Sequence, residues 1–402
     1  AQARVTFHYQ ELSEEERCEL LVRELHSSRP LTGRNSELRE ESRQVLGFLE
    51  AMSDAIRRYG RESVGSYVVS MTEGVSDILE VLVMAREAGL TDLDITPLFE
   101  TREDLANAPC VLRQLFAIPA YLQHVQRRGS QEVMIGYSDS NKDAGFLTAN
   151  WALYEAQEGV AAACRSAGVR WRIFHGRGTS IGRGGGPTGM AILAQPPGSL
   201  AGRMRITEQG EALSARYSDQ DLAHRHLEQL VHAFLISSAR DAGEPSQPPA
   251  HFREVMTRAS DAAFGHYREL LEADGFLDFY HTVTPIEEIS RLQIGSRPAR
   301  RKGDRSLANL RAIPWVFSWT QSRAILPGWY GLGTGLAAVG MEQLQRMYRE
   351  WPFFRTVIDF AQMSLAKSDM QVFRSWLTLV PEPLRGPFGE RIVSEFSLAR
   401  SL

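Results

Sequence analysis

The stretch Glu132–Gly145, EVMIGYSDSNKDAG, opens on an apolar run and passes at once into hydroxyl, acidic and basic side chains. Glu132–Tyr137 (EVMIGY) reads as a short strand, and Asp139 and Lys142 then fall in a loop just past it. The same succession recurs along the chain. Tyr67–Met71 (YVVSM) is strand-like, Ile95–Phe99 leads into Glu100, Arg170–Phe174 (RWRIF) leads into His175, and Arg203–Thr207 (RMRIT) leads into Glu208. Helical periodicity separates the runs. Val75, Ile78, Leu79 and Leu82 mark one helix, ended by Gly89, and another runs from about Leu147 to Ala167 before Gly168. Strands alternating with helices predict an α/β fold with a parallel sheet. Polar residues repeated at strand ends predict a (β/α)8 barrel of the TIM type, whose active face lies at those ends. Five strands are legible where a closed barrel needs eight, so the expectation is a partial barrel embedded in a predominantly α-helical protein.

Helices precede and follow this region. Ser13 with Glu16 forms a capping box ahead of Leu20, Leu21 and Leu25, and Val45, Leu49, Met52 and Ile56 follow at helical spacing. After Arg216 the pattern is mostly helical. Asp241–Ala250 (DAGEPSQPPA) reads as a loop from its prolines, a long helix is predicted over Phe252–Asp274, and Ile294–Arg305 (IGSRPARRKGDR) is a basic loop. The expected division is a helical lead-in over 1–60, a βα-barrel portion with a metal and phosphate site over 61–216, and a mostly helical portion over 217–402 that carries the basic loop 294–305.

Composition narrows the function. The chain has 402 residues, of which 43% are hydrophobic and 23% charged, enough for a sizeable core and too polar for a membrane protein. Its formal charge is -4, from 45 basic and 49 acidic residues, which gives no global pull toward nucleic acid or an anionic membrane. Cys18, Cys110 and Cys164 are far apart and form no CxxC pair, so neither disulfides nor a thiolate metal site is expected, and a reducing cytoplasm fits. No signal-peptide pattern opens the sequence, which begins at Ala1.

Four stretches carry residues suited to chemistry. Phe174–Pro187, FHGRGTSIGRGGGP, follows a strand. Glycines let the backbone approach an anion and turn amides toward it, and His175, Arg177 and Arg183 add donors and positive charge. A linker or an RNA-binding Gly-Arg segment would not directly follow a strand. Asp139 and Glu100, each just past a strand, could share one Mg²⁺ or Mn²⁺ and leave water positions for a substrate phosphate. Lys142 supplies a point positive charge, or a proton. Read alone, the segment with Asp139 fits a solvated turn equally well, and Glu100 fits an acidic residue at a helix start. Arg297 and Arg311 flank the basic loop, where a phosphate contact or a solvated surface is expected.

Together these stretches resemble the phosphoenolpyruvate carboxylase family. Val133–Gly145 fits its V-M-x-G-Y-S-D-S-x-K-D-x-G signature, and Phe174–Gly185 fits F-H-G-R-G-x-x-x-G-R-G-G. Pro97–Thr101 (PLFET), Ala194–Pro197 (AQPP), Arg205–Glu211 (RITEQGE), Gly295–Pro298 (GSRP) and Leu310–Trp319 (LRAIPWVFSW) match further stretches in the family's order. The resemblance implies that Glu100 and Asp139 bind Mg²⁺ or Mn²⁺, that Lys142, His175 and Arg177 are catalytic, and that Arg177, Arg183, Arg297 and Arg311 bind substrate. It implies phosphoenolpyruvate and bicarbonate as substrates. Bicarbonate attacks phosphorus to give carboxyphosphate and the enolate of pyruvate, carboxyphosphate releases CO₂, and the enolate captures it as oxaloacetate. A cytoplasmic homotetramer is implied for the full-length family. So is an acidic effector such as aspartate, held by Arg183 and by Lys367 in LAKSD. Thr179 stands where the family usually has Gly, and Ala194 where it usually has Ser. The family's upstream T-A-H-P-T motif and its C-terminal end are not found, so the chain is expected to be a fragment, inactive alone. A second reading is a non-catalytic remnant that binds phosphoenolpyruvate or another acidic metabolite.

Overall fold

The computed structural model describes residues 8–31, 38–208, 210–243, 247–292 and 306–402. Five strands form one sheet: β1 (Ser66–Val69), β2 (Asp94–Phe99), β3 (Gln131–Gly136), β4 (Trp171–Gly176) and β5 (Met204–Ile206), arranged side by side in chain order. β1 and β2 run parallel, with Ser66 opposite Asp94 and Val69 opposite Pro97. Helices occupy every connection, as parallel neighbours require, because such a strand is reached only by a crossover.

The helices before the sheet are α1 (Glu14–His26) and α2 (Glu40–Tyr59). Between strands lie α3 (Val75–Glu87), α4 (Arg102–Ala117), α5 (Pro119–Arg128), α6 (Tyr137–Ala144), α7 (Phe146–Ser166) and α8 (Thr188–Leu193). After β5 the described chain is helical: α9 (Gly210–Tyr217), α10 (Gln220–Ala242), α11 (Ala250–Leu271), α12 (Phe276–Val283), α13 (Ile286–Arg291), α14 (Ala312–Gln321), α15 (Leu332–Ala337), α16 (Met341–Glu350), α17 (Pro352–Lys367), α18 (Met370–Leu377) and α19 (Glu382–Ser401). The protein is thus a mainly helical α/β molecule with a small parallel sheet. Among the described residues no helix is long and apolar enough to cross a membrane. All three cysteines are free, and only Cys164 is buried.

Three boundaries differ from the sequence reading. Tyr137 begins α6 instead of closing β3, and Asp139 and Lys142 therefore stand on a helix, not in a loop. Ser, Asp and Asn favour turns through side-chain bonds to backbone. Here the Ser140 hydroxyl donates to the Gly136 carbonyl at 2.6 Å, back along the helix, and the turn propagates. His175 lies inside β4 instead of following it. The predicted loop from Asp241 is also shorter than expected, since α10 runs to Ala242 and α11 starts at Ala250, with 244–246 outside the described residues.

The chain divides into two compact units. The described residues of Ala1–Phe99, Asn107–Met134 and Gly159–Ile173 form the first. In it the expected capping box opens α1, and the Glu14 carboxylate accepts from the Ser76 amide at 2.9 Å and its hydroxyl at 2.6 Å at the start of α3. Glu132 on β3 is 6% exposed and draws donors from three other strands. It accepts from Ser66 on β1 at 2.7 Å, Thr96 on β2 at 3.2 Å and the Arg172 Nε on β4 at 2.6 Å. Arg172 is partly exposed, so screening weakens its charge, and the shared hydrogen bonds matter more. Glu132→Gln is expected to lower unfolding free energy by about 1–3 kcal/mol, the cost of leaving buried donors short of an acceptor. An unchanged urea midpoint in that variant would refute this.

Glu100–Ala106, Ile135–Glu158 and the described residues of Phe174–Leu402 form the second unit, which contains every predicted site residue that is described. Its core has two aromatic clusters. One gathers Tyr267, Phe276, Tyr280, Trp315, Trp319 and Phe388, and the other Trp151, Tyr154, Phe252, Trp351 and Phe353. Rings this large exclude water and leave the short α6 a rigid bed.

Candidate functional site

The site is organised around α6. Its first residue, Tyr137, is buried, and its hydroxyl lies 2.9 Å from Nδ1 of His175 on β4. Ser138 accepts from the Arg183 Nε at 3.3 Å. Near the helix end, Asp143 accepts from the Arg102 amide at 2.9 Å, which ties α6 to the segment carrying Glu100. The Tyr267 hydroxyl donates to the Lys142 carbonyl at 2.7 Å. Gly145, at φ 80°, ends the helix against the Tyr267 ring, where a Cβ would sit 2.9 Å from it. One eight-residue helix is therefore fixed to β4, the glycine-rich loop, α4 and α11.

The glycine-rich loop closes upon itself. The Gly178 amide donates to the Arg183 carbonyl at 2.6 Å, and the Gly185 amide to the Ser180 carbonyl at 2.8 Å. Arg177, 7% exposed, donates through Nε to the Gly184 carbonyl and through Nη2 to the Gly185 carbonyl at 3.2 Å. Its guanidinium carbon stands 5.6 Å from the Tyr137 ring centroid. Arg183 is 2% exposed and stacks 5.6 Å from the Phe317 centroid. The sequence reading made both arginines donors to an external anion. In the structure Arg177 turns onto the loop's own carbonyls, next to the left-handed Gly184 at φ 74°.

His175 is 1% exposed, and its Nε2 is buried without a hydrogen-bond partner. Its carbonyl accepts from the Arg177 amide at 2.9 Å and the Thr207 amide at 3.0 Å, so the backbone beneath the ring is held. Burial, and then the Arg177 guanidinium, pushes His175 down to about 3. Well above the ordinary histidine value of 6.5 the ring is neutral whether the chain is folded or unfolded, and adds no pH dependence. Below the ordinary histidine value of 6.5, the unfolded chain takes up a proton that the folded chain refuses until about 3. Stability therefore falls on acidification, by about 1.4 kcal/mol per pH unit for this group. Between pH 7 and pH 5 the parent is expected to lose about 2 kcal/mol more than His175→Asn. Parallel losses in urea unfolding at the two pH values would refute it.

The metal-ligand candidates stand at neighbouring strand ends. Glu100, 8% exposed, directly follows β2, and Asp139, half-buried, is the third residue after β3. Helix capping after β2 is performed by Asp104, whose carboxylate accepts from the Thr101 amide at 2.9 Å and the Glu100 amide at 3.4 Å. Among the described residues no group of three or more His, Cys, Asp or Glu forms a closed metal cage. Two hard carboxylate donors nevertheless fit Mg²⁺ or Mn²⁺, which keep several waters and share the rest of their shell with substrate.

Arg311 is the half-buried residue before α14, and Lys367 is the exposed last residue of α17, its carbonyl accepting from Arg323 at 3.1 Å. Arg297 and the rest of the basic loop through Arg305 lie outside the described residues. Tyr137, which the sequence reading did not single out, stands inside the quoted motif and meets His175. A cavity of about 50 Å³ behind the loop is lined by Tyr137, Arg177, Gly184 and Gln195. A larger one of about 670 Å³, walled by Leu336, Leu344, Phe354 and Phe396, shares no residue with the site.

The sequence model of one family, described as phosphoenolpyruvate carboxylase, matches residues 1–402. The phosphoenolpyruvate carboxylase of Thermus thermophilus is 50% identical over 383 residues, 93% of this chain and 43% of that protein. That of Thermus sp. strain 71 is 49% identical over 393 residues, covering 96% and 44%. That of Mycobacterium avium is 46% identical over 399 residues, covering 93% and 42%. The chain thus spans less than half the length of these curated relatives.

Proposed function

The chain belongs to the phosphoenolpyruvate carboxylase family, and on that premise we propose that the polypeptide carrying it joins bicarbonate to phosphoenolpyruvate, giving oxaloacetate and phosphate. One arrangement supports this above all: a neutral, buried His175 with an unpartnered Nε2, beside Arg177 and the glycine-rich loop. A dry pocket of this kind suits an enolate and CO₂, both of which water would intercept.

The roles follow from the side chains. Arg177, Arg183, Arg297 and Arg311 hold phosphate and carboxylate oxygens, for which planar guanidinium forks are suited. Arg177 must exchange its bonds to the Gly184 and Gly185 carbonyls for those oxygens, so substrate binding is coupled to a rearrangement of the loop. Lys142 adds positive charge at the strand ends. His175 faces the carboxyl group in transit. Glu100 and Asp139 would hold Mg²⁺ or Mn²⁺, which supplies Lewis-acid stabilisation of developing negative charge.

The wider reading is a (β/α)8 barrel, supported by five consecutive strands in chain order with polar residues at their ends. A cytoplasmic homotetramer and an acidic effector held by Arg183 and Lys367 complete the proposal. The test is oxaloacetate formation by the natural full-length polypeptide, followed by coupled reduction to malate. Product should require phosphoenolpyruvate, bicarbonate and Mg²⁺ together. No product with all three present would sink the reading.

A further inference from the structure

We propose that Tyr137 is a positioning residue that holds His175 in its Nε2–H tautomer, so that His175 acts as a hydrogen-bond donor and takes no proton at Nε2. The proposal rests on the reading of His175 as a substrate-facing group.

The Tyr137 hydroxyl and His175 Nδ1 are 2.9 Å apart, with Tyr137 8% and His175 1% exposed. Geometry alone permits either group to donate. Acid strength decides the direction. A phenol is a much stronger acid than a neutral imidazole N–H, and an imidazole lone pair is a much better base than a phenol oxygen. The proton therefore lies on the tyrosine, and Nδ1 accepts it. A neutral imidazole carries a single N–H, which must then be on Nε2. That atom is buried without a partner. A donor left unmatched in a dry interior is costly, and an oxygen of bicarbonate or carboxyphosphate arriving there would match it. The ring then stabilises negative charge developing on that oxygen. With Nε2 already protonated, any proton leaving bicarbonate must go to another base.

Tyr137 is itself held by the glycine-rich loop and Arg177. Its ring is pressed by Gly184, where a Cβ would lie 2.3 Å from Cδ1, and the Arg177 guanidinium carbon lies 5.6 Å from its centroid. The residue is wedged between the glycine-rich loop and the imidazole. The loop's position and the aim of His175 are thereby joined through one phenol.

The experiment is ¹⁵N nuclear magnetic resonance of the natural full-length protein labelled at histidine, with the His175 signals identified by their absence in His175→Gln. Nε2 should be of the protonated, pyrrole type and Nδ1 of the bare, pyridine type. In Tyr137→Phe, which keeps the ring, that preference should be lost. Its kcat should fall about tenfold, the worth of one buried hydrogen bond, with KM for both substrates nearly unchanged. Protonated Nδ1 in the parent would overturn the proposal, as would an unaltered tautomer or unaltered kcat in Tyr137→Phe. The parent spectrum reads the tautomer whether or not the protein carboxylates, so failure of the proposed activity is seen separately.

Discussion

Gly185→Ala is expected to lower kcat/KM at least about a hundredfold while most of the helical fold persists, because misplacing a binding group by about 1 Å can cost that much. A Cβ on Gly185 would lie 2.0 Å from the Thr179 carbonyl oxygen and 2.6 Å from that of Ser180. Both are backbone atoms and cannot swing aside. The Gly185 amide also closes the loop onto Ser180 at 2.8 Å, so the strain falls on the bond that defines the turn. Relief requires the 184–185 carbonyls to move, and these are the acceptors that seat Arg177. Gly189→Ala is the control. It lies in α8, and its nearest neighbour to an added Cβ is the Gln229 carbonyl at 3.5 Å, an ordinary contact. Alanine there should leave turnover alone and add up to about 1 kcal/mol of helix stability. The measurements are kcat/KM and thermal unfolding by circular dichroism. Full activity in Gly185→Ala would mean that the loop is not the element that seats Arg177.

The strands were legible because short apolar runs alternate with long helical periods and several runs end at a charged or imidazole side chain. Val133 and Ile135 share one face of β3 and are buried there, as Ile173 is on β4, so each run carries an apolar signal at strand spacing. The residues beyond the strand ends were less legible. Tyr-Ser-Asp-Ser-Asn-Lys has the composition of a turn. Besides the local bond from Ser140 to the Gly136 carbonyl, tertiary bonds from Arg102 to Asp143 and from Tyr267 to the Lys142 carbonyl fasten it as a helix, and these are not visible in a local window. Tyr137 escaped notice for the same reason, since its partner is 38 residues away. The direction of Arg177 was hidden too. A glycine-rich run announces that the backbone can approach something, but whether it approaches a ligand or its own arginine depends on the left-handed turns at Gly184 and Gly186. The motifs named particular residues and left their bonding open.

Asp139→Asn and Glu100→Gln in the natural full-length protein are each expected to cut metal-dependent turnover severely while the fold persists. Loss of about 2–4 kcal/mol of charge stabilisation corresponds to roughly 30- to 1000-fold in rate. Both substitutions keep size and shape, but they remove the charge and turn one acceptor oxygen into an NH₂ donor, so a hard cation loses its anionic ligand. A purely structural reading makes a different forecast. Asp139 stands in the first turn of α6, where a carboxylate favours the helix by about 0.3–1 kcal/mol. On that reading Asp139→Asn would slightly lower the unfolding midpoint and leave the Mg²⁺ requirement untouched. Asp143→Asn separates ligand from support, because Asp143 accepts from the Arg102 amide at 2.9 Å and so positions the Glu100 segment. It should raise the metal concentration needed for half-maximal rate by about tenfold, as supporting groups do, without abolishing turnover. Mn²⁺ binding followed by electron paramagnetic resonance reads the same site without catalysis, and should weaken most in Asp139→Asn and Glu100→Gln. If both variants bind Mn²⁺ and respond to Mg²⁺ as the parent does, the ligands are elsewhere, and the two strand-end carboxylates serve the fold alone.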